Sequence, residues 1–235
     1  MEWLEHFEHN AANRMDIPWQ LGVHVEPYLR VPLVRSLQRF QVGEQGDGKH
    51  LIRAARSAGD PVYARTVELF IREEQGHSRL LASLLAAMGA PLLKWHWSDL
   101  AFMQLRRLCG LRVELLVLLS AEMIAKRYYR ALYEGTGDPV LRAAFAQVLN
   151  DELGHVAFHI DFLQRGFADL PGPARHLIRT AWRAFFAAVC LVVAHDHRSV
   201  LKAVGVAPGE FLHDCHQIFK ETSRAIFNPE LAVAV

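Results

Sequence analysis

The chain has 235 residues, of which 51% are hydrophobic and 22% charged, so it can bury a sizeable core without disulfide staples. Its formal net charge of +1 is spread along the sequence, which excludes the strongly basic face expected of a nucleic-acid-binding protein. The most apolar run, residues 181–194, contains Arg183 and is shorter than the ~20 residues of a membrane span, so we expect a buried helix or a lipid-facing groove without stable membrane insertion.

Three cysteines and the first residues of the chain favour a reducing compartment. Cys109, Cys190 and Cys215 are odd in number and far apart in the sequence, and they form no C-x-x-C pair, so we expect reduced thiols. Residues 1–5 lack the basic and apolar regions of a secretory signal. We therefore predict a cytoplasmic protein.

Apolar residues recur at spacings of three and four, and no run of strict alternation is long enough for a sheet, which predicts an all-α protein. Residues 1–30 are predicted to form an arm with a short helix. The following four helices are predicted from Pro32 to about Ser57, from Pro61 to about Met88, from Ser98 or Asp99 to Glu134 with a bend at Gly110, and from Pro139 to about Gly166. Residues 171–227 are predicted to add a C-terminal extension of two helices, Pro173 to Val204 and Pro208 to Phe227, before a loose tail over residues 228–235.

Two copies of Gly-Asp-Pro-Val, at residues 59–62 and 137–140, mark an internal repeat with an offset of 78 residues (137 − 59 = 78). Each copy supplies a helix stop, an N-cap and a first-turn proline. The same offset superposes three pairs of potential metal ligands, namely Glu44 and Glu122, Glu74 and Glu152, and His77 and His155.

The repeat predicts that these six side chains meet at one level of a helical bundle. In each copy the two glutamates lie 30 residues apart (74 − 44 and 152 − 122), with the Gly-Asp turn at their midpoint. Residues equidistant from the turn of an antiparallel hairpin stand at the same height, here ~20 Å from the loop. Each histidine follows its glutamate by three residues, so carboxylate and imidazole share one helical face.

Such a set of side chains favours a pair of metal ions. Four buried carboxylates would each cost several kcal/mol of desolvation, whereas two divalent cations neutralise them. Mixed oxygen and nitrogen ligands suit iron or manganese better than tetrahedral zinc. The alternative is a set of exposed ion pairs with Arg53, Arg72 and Arg79, which would have no reason to repeat with the symmetry of a hairpin.

A single Glu-x-x-His is a weak indicator, because composition alone predicts about one in a chain of this kind. Glu210 and His213 have the spacing, yet Thr180 stands where the companion carboxylate would be. We therefore interpret that motif as a decoy.

The ligand set of two glutamates and two Glu-x-x-His motifs, over residues 31–165, resembles that of the ferritin-like di-iron carboxylate superfamily. Within it, Gly43-Glu44-Gln45 and Tyr129, which follows Glu122 by seven residues, are most similar to the aldehyde-deformylating oxygenases. The resemblance implies a ferritin-like four-helix bundle over residues 31–166 and two iron ions, with Mn/Fe or Mn/Mn as other pairs, bridged by some of the carboxylates. It also implies activation of O2 or peroxide. Electrons would come from an external donor, because the sequence has no ferredoxin or rubredoxin-like cysteine motif.

Four residues near the predicted ligands have two interpretations each. Tyr129 could act beside the metals as a hydrogen-bond donor or radical site, or pack in the core. Asp47 and His159 could reach the metals or orient a ligand imidazole, and the alternative is a role outside the ligand set. Asp151 is predicted to support the ligands from behind or to lie at the surface.

Glycines cluster around the predicted ligands. Gly76 and Gly154 occupy matching positions inside the two Glu-x-x-His motifs, where they allow either a close helix contact or room for O2 or substrate. Gly43, Gly46 and Gly48 surround Glu44 and would let that helix distort or unwind.

The predicted function is a non-haem di-iron oxidase or oxygenase acting on a small apolar or amphiphilic substrate, since the arm and extension exceed what an iron-storage subunit requires and could enclose a cavity. The main alternative is an iron-oxidising, peroxide-scavenging or storage protein without an organic substrate. A metal-stabilised interaction protein and an enzyme that hydroxylates a modified RNA are further alternatives. Predicted partners are O2 or peroxide, a small molecule and a separate electron donor, with no nucleic acid. The oligomeric state stays open, a homodimer included.

Overall fold

The computed structural model describes residues 3–97, 104 and 110–228, and every regular element within those ranges is helical. A 3-10 turn, Trp19–Leu21, accompanies the α-helices. The α-helices in the described ranges are α1 (Trp3–Ala12), α2 (Pro27–Gly43), α3 (Lys49–Ser57), α4 (Pro61–Ala87), α5 (Leu111–Gly135), α6 (Pro139–Phe167), α7 (Gly172–Asp196), α8 (Arg198–Ala203) and α9 (Pro208–Phe227).

Helices α2, α4, α5 and α6 form a four-helix bundle. Helix α2 packs on α4, α5 packs on α6, and the two pairs meet where α4 contacts α6. The apolar periodicity explains this arrangement, because Leu141, Phe145 and Val148 recur along one stripe of α6 and are fully buried. The all-α prediction is confirmed in the described part of the chain.

Both predicted Gly-Asp-Pro turns start helices as expected. The side chain of Asp60 accepts hydrogen bonds from the backbone N–H groups of Val62 and Tyr63 at the start of α4. Asp138 accepts one from Leu141 at the start of α6, and a second from the backbone of His24, which ties the N-terminal arm to this turn. These caps fix where the second helix of each hairpin begins.

The single helix predicted from Pro32 to Ser57 is wrong, because residues 44–48 separate α2 from α3. Gly48 has φ +61°, and a Cβ there would lie 2.6 Å from the Ile71 side chain, so this position demands glycine. As a result Glu44 lies at the C-terminal end of a helix.

Three other predicted boundaries change. Helix α2 begins at Pro27, so Pro32 lies inside it. Gly110, with φ +78°, precedes α5 instead of bending a longer helix, and the predicted caps at Ser98 and Asp99 lie outside the described residues. The helix predicted from Pro173 to Val204 is divided at His197 into α7 and α8.

The C-terminal helices close one side of the bundle. Helix α9 packs on α5, α6 and α7, and the indole of Trp182 donates hydrogen bonds to Ser120 Oγ (2.9 Å) and the Leu116 carbonyl (3.0 Å). Cys190 and Cys215 meet in this core as free thiols. The hydrophobic core runs continuously from the arm to α9, so the division into arm, bundle and extension stays a prediction.

Helix α7 is long and apolar enough to cross a membrane, with a mean hydropathy of 1.7 over its most apolar window, on length and composition alone. Only 22% of that window is buried, so the expectation of a buried helix is wrong for this segment. Leu177 and Leu191 are more than half exposed on its outer face.

Candidate metal centre

The bundle brings the six predicted ligands together between its two hairpins. Glu44 comes from the end of α2, Glu122 from the middle of α5, and the two Glu-x-x-His motifs from α4 and α6. Their oxygen and nitrogen atoms fall into two groups, in each of which one donor atom per residue lies within 4.8 Å of the others. The groups, which share Glu74, are Glu44, Glu74 and His77, and Glu74, Glu122, Glu152 and His155.

The separations between donor atoms match those of ligands on a common ion. Two donors bound at ~2.1 Å lie about 3.0 Å apart when adjacent and about 4.2 Å apart when opposite. His77 Nδ1 is 3.5 Å from Glu74 Oε1 and 3.7 Å from Glu152 Oε1. His155 Nδ1 is 3.1 Å from Glu74 Oε1, 3.3 Å from Glu122 Oε2 and 3.7 Å from Glu152 Oε2. Glu74 and Glu152 thus lie between the two imidazoles.

Several of these atoms are buried without a hydrogen bond. Glu74 Oε1, His77 Nδ1 and Glu152 Oε2 have no partner in the described part of the chain. A buried polar atom without a partner costs ~1–3 kcal/mol, more if it is charged. A pair of divalent cations would satisfy all three atoms, so the residues present fit such a pair.

The protonation equilibria of the cluster are shifted strongly. Burial of the carboxylates raises the pKa of Glu44 and of Glu152 well above the usual range, and neighbouring negative charges raise both further. Burial also opposes ionisation of Glu122, but hydrogen bonds from Glu152 and His155 outweigh it and lower the Glu122 pKa to about 2. The same carboxylates overcome burial at His155 and raise its pKa. Neighbouring acids that share protons in this way are suited to exchange them for cations.

Comparison with known proteins gives structural neighbours only. No protein-family model matches the sequence, and no curated protein matches it either. A solved structure named protein 19 with aldehyde deformylating oxidase activity, from Synechococcus, superposes with a TM-score of 0.64 at 20% identity, covering 86% of this chain and 92% of that chain. An R2-like ligand-binding oxidase with an Mn/Fe cofactor superposes with a TM-score of 0.75 at 14% identity, covering 95% of this chain and 91% of that chain.

The chain has a ferritin-like fold. This confirms the fold class predicted from the repeated ligand motifs. The six converging residues are called the candidate di-metal centre.

On the outer side of the candidate centre, each of its two histidines donates a hydrogen bond to a carboxylate from the other hairpin. His77 Nε2 donates to Asp151 Oδ2 (2.9 Å), and His155 Nε2 donates to Glu73 Oε2 (3.0 Å). These bonds leave Nδ1 of both rings facing the centre, as metal ligation requires. Asp151, which we predicted either to support the ligands or to lie at the surface, is fully buried. We did not predict Glu73, although the offset of 78 pairs it with Asp151 (73 + 78 = 151).

Arg14 in the N-terminal arm joins these two outer carboxylates. Its guanidinium donates to both oxygens of Asp151 (3.0 and 2.6 Å) and lies 3.6 Å from Glu73 Oε1. Gln147 Nε2 donates to Asp151 as well (2.9 Å). In spite of burial, the hydrogen bonds from His77 and Arg14 lower the pKa of Asp151. Nothing in the sequence pattern indicated Arg14, because the arm lies outside the repeat.

Aromatic rings cover one side of the centre. The rings of Phe7 and Phe70 lie 6.0 and 4.7 Å from the ring of His155, and Phe158 packs against both phenylalanines. Phe7 belongs to α1, so the arm contributes directly to this apolar wall. The wall shields the His155 side of the cluster from water.

The two matched glycines differ. A Cβ on Gly154 would lie 2.6 Å from His6 Nε2, so this glycine permits the approach of α1. A Cβ on Gly76 would meet nothing closer than Arg79, at 3.9 Å. A close helix contact therefore explains Gly154 but does not explain Gly76.

The remaining candidates lie at different distances from the centre. Tyr129 is buried against Phe40, and its hydroxyl has no hydrogen-bond partner among the residues that the structure describes. Burial, together with the charge of Glu44, raises the pKa of Tyr129 well above 10. Asp47 pairs with Lys49 at the start of α3. His159 is fully buried, with Nε2 3.9 Å from Glu122 Oε1, and burial lowers its pKa to about 4.

The third Glu-x-x-His motif lies apart from the centre. Glu210 Oε1 is 3.4 Å from an Nη of Arg127, and the Glu210 side chain is 53% exposed. Neither Glu210 nor His213 belongs to either donor group found among the described residues. The geometry agrees with its interpretation as a decoy.

Proposed function

We propose that this chain is a non-haem di-metal oxidase or oxygenase that uses O2 or peroxide to oxidise a small apolar or amphiphilic substrate. One observation carries the proposal: buried carboxylates and imidazoles from four helices converge, and several of their inward-facing atoms lack a hydrogen-bond partner within the described ranges. The structural neighbours support it, since both are named as oxidases and one carries an Mn/Fe cofactor. The ligands in this proposal are Glu44, Glu74, His77, Glu122, Glu152 and His155.

The cofactor in this proposal is a pair of iron ions, with Mn/Fe as the other pair that the ligand chemistry suits. When bound, the pair supplies the electron-transfer chemistry with O2 or peroxide that amino-acid side chains cannot provide. Glu74 and Glu152, which lie between the two imidazoles, would help to hold the pair. Glu44 and Glu122 would each bind one ion.

The protein side chains orient the ligands and control access to them. Asp151 and Glu73 hold the N–H groups of the two imidazoles, which fixes the ring orientation. Phe7 and Phe70 exclude water from one side of the centre, which favours an apolar substrate over a polar one. Tyr129 would act as a hydrogen-bond donor beside Glu44.

The remaining parts of the proposal concern partners and location. Electrons would come from a separate donor, because the two cysteines that the structure describes, Cys190 and Cys215, are free thiols buried in the core. We place the protein in the cytoplasm, where these thiols stay reduced.

Metal analysis tests the ligand assignment. We expect two tightly bound iron ions per chain after anaerobic Fe(II) loading and removal of free metal, and loss of paired binding in Glu74→Ala and Glu152→Ala. Glu210→Ala is the matched control, since it truncates the same residue type in the same motif at an exposed ion pair. Fewer than about one ion per two chains, or equal loading of the Glu74→Ala variant and the wild type, would rule out the assignment.

Turnover separates the two leading functions. The Fe(II)-loaded protein is exposed to O2 with and without an extract of apolar metabolites, while absorbance and products are followed by spectroscopy and mass spectrometry. Substrate-dependent product formation, absent in Glu152→Ala, is the expected result. Repeated iron oxidation with growing mineral and no organic product would instead identify an iron-oxidising or storage protein.

A further inference from the structure

The repeat is broken at one position beside the candidate di-metal centre. His159 lies on α6, one turn after His155, and the offset of 78 places Leu81 at the equivalent position of α4 (159 − 78 = 81). Both side chains are fully buried. The second hairpin therefore carries an imidazole where the first carries an alkyl group, although the six ligands themselves follow the repeat.

His159 is buried without a partner. Neither Nδ1 nor Nε2 makes a hydrogen bond in the described part of the chain, although neither atom reaches solvent. Burying an imidazole in this way is unfavourable unless another group satisfies it. The other two histidines of the centre differ in this respect, since each donates its Nε2 proton to a carboxylate.

Packing fixes the direction of the His159 ring. The Phe70 ring meets it edge-on at 5.0 Å, and the ring of Phe158 lies 5.3 Å away. In this position Nε2 is 3.9 Å from Glu122 Oε1. That separation lies within the ~3.0–4.2 Å expected of two donors that bind one ion, although His159 lies outside the two groups whose donor atoms all fall within 4.8 Å of one another.

We infer that His159 is a third imidazole ligand, binding through Nε2 the ion that Glu122 and His155 hold. The inference rests on the proposed function, because it assumes that the centre binds metal. It makes the two metal positions chemically different. The position next to His77 has one imidazole, whereas the position next to His155 has two.

His159→Leu tests the inference, because it copies the residue that the first hairpin carries. Anaerobic Fe(II) titration of the wild type should show two tight sites, and in the variant one site should weaken by about 10–100-fold. The metal-free variant should melt at or above the temperature of the metal-free wild type, since it loses an unpartnered polar group. The rise in melting temperature on adding Fe(II) should be smaller than in the wild type.

His197→Leu is the matched control. His197 is also a buried histidine, but its Nδ1 is paired with Ser36 Oγ at 2.6 Å and its ring packs against Phe40 and Tyr128. This substitution should lower the melting temperature of the metal-free protein and leave both Fe(II) affinities unchanged. If His159→Leu behaves like the control, His159 is a packing residue and the inference is overturned.

A measurement on the wild type avoids dependence on a variant. Proton NMR of the Co(II)-loaded protein should show three exchangeable, hyperfine-shifted imidazole N–H signals. Two such signals would overturn the inference while leaving the proposed function intact. A wild type that binds no metal pair would instead remove the proposed function itself.

Discussion

The two hairpins of the bundle come from one sequence pattern but hold their ligands differently. In the second hairpin, Glu122 lies in the middle of a continuous α5. In the first, Glu44 lies at the end of α2, beside residues 44–48 that separate it from α3. The repeat thus sets the height of each donor residue along the bundle, whereas a local break in the helix determines how rigidly the backbone holds that residue.

The largest expected effect of this difference is on local opening when metal is removed. Chelation should raise amide exchange in residues 40–48 by about 100-fold, because Glu44 is then held by neither a helix interior nor an ion. Residues 115–125 of α5 should change much less. Hydrogen exchange measured by mass spectrometry checks this, and equal changes in the two segments would show that the hairpins respond alike.

The next effect concerns the arm, which supports both hairpins through one guanidinium. Arg14→Leu leaves the fully buried Asp151 with one charged partner fewer, so unfolding free energy should fall by about 2 kcal/mol and Fe(II) affinity by about 10-fold. Denaturant unfolding and metal titration measure the two quantities.

Arg165→Leu serves as the comparison, because its ion pair with Asp161 is exposed on both sides. An exposed pair contributes about 0–1 kcal/mol, and this one is distant from the ligands. If Arg14→Leu has the same free energy of unfolding and the same Fe(II) affinity as Arg165→Leu, Arg14 does not support the proposed ligands.

A smaller effect is expected at the chain break itself. Gly48→Ala should lower the free energy of unfolding by about 1–2 kcal/mol, because φ is positive there and the new Cβ would press on Ile71. Gly43→Ala, where a Cβ would meet nothing within 4 Å, should be neutral or stabilising by up to about 1 kcal/mol. Thermal unfolding of both variants decides whether the break depends on Gly48.

The smallest expected effect is on metal choice. Imidazole favours iron and carboxylate favours manganese, so equimolar Mn(II) and Fe(II) should load as a mixed pair in the wild type. His159→Leu should raise the manganese fraction by a few-fold at most. Metal analysis of the two proteins measures the ratio of bound manganese to bound iron. An unchanged ratio would mean that His159 does not influence which metal binds.

The convergence of the six side chains could be predicted from the sequence because both halves of the repeat carry the same ligand spacing. Glu74 and Glu152 could be found from an offset and a spacing, since helical geometry converts spacing into height. Residues outside the repeat could not be predicted in this way. Arg14 is the main example, because its contact with Asp151 joins residues 137 positions apart and is not part of any periodic pattern. The break near Glu44 was anticipated only as a local distortion, since the need for glycine at position 48 arises from Ile71 on another helix.

Anomalous X-ray diffraction from crystals loaded with Fe(II) tests the central claim most directly. We expect two peaks between the hairpins, each ~2.0–2.3 Å from carboxylate oxygen or imidazole nitrogen atoms of the proposed ligands. A single peak, or peaks confined to surface carboxylates such as Glu210, would contradict it.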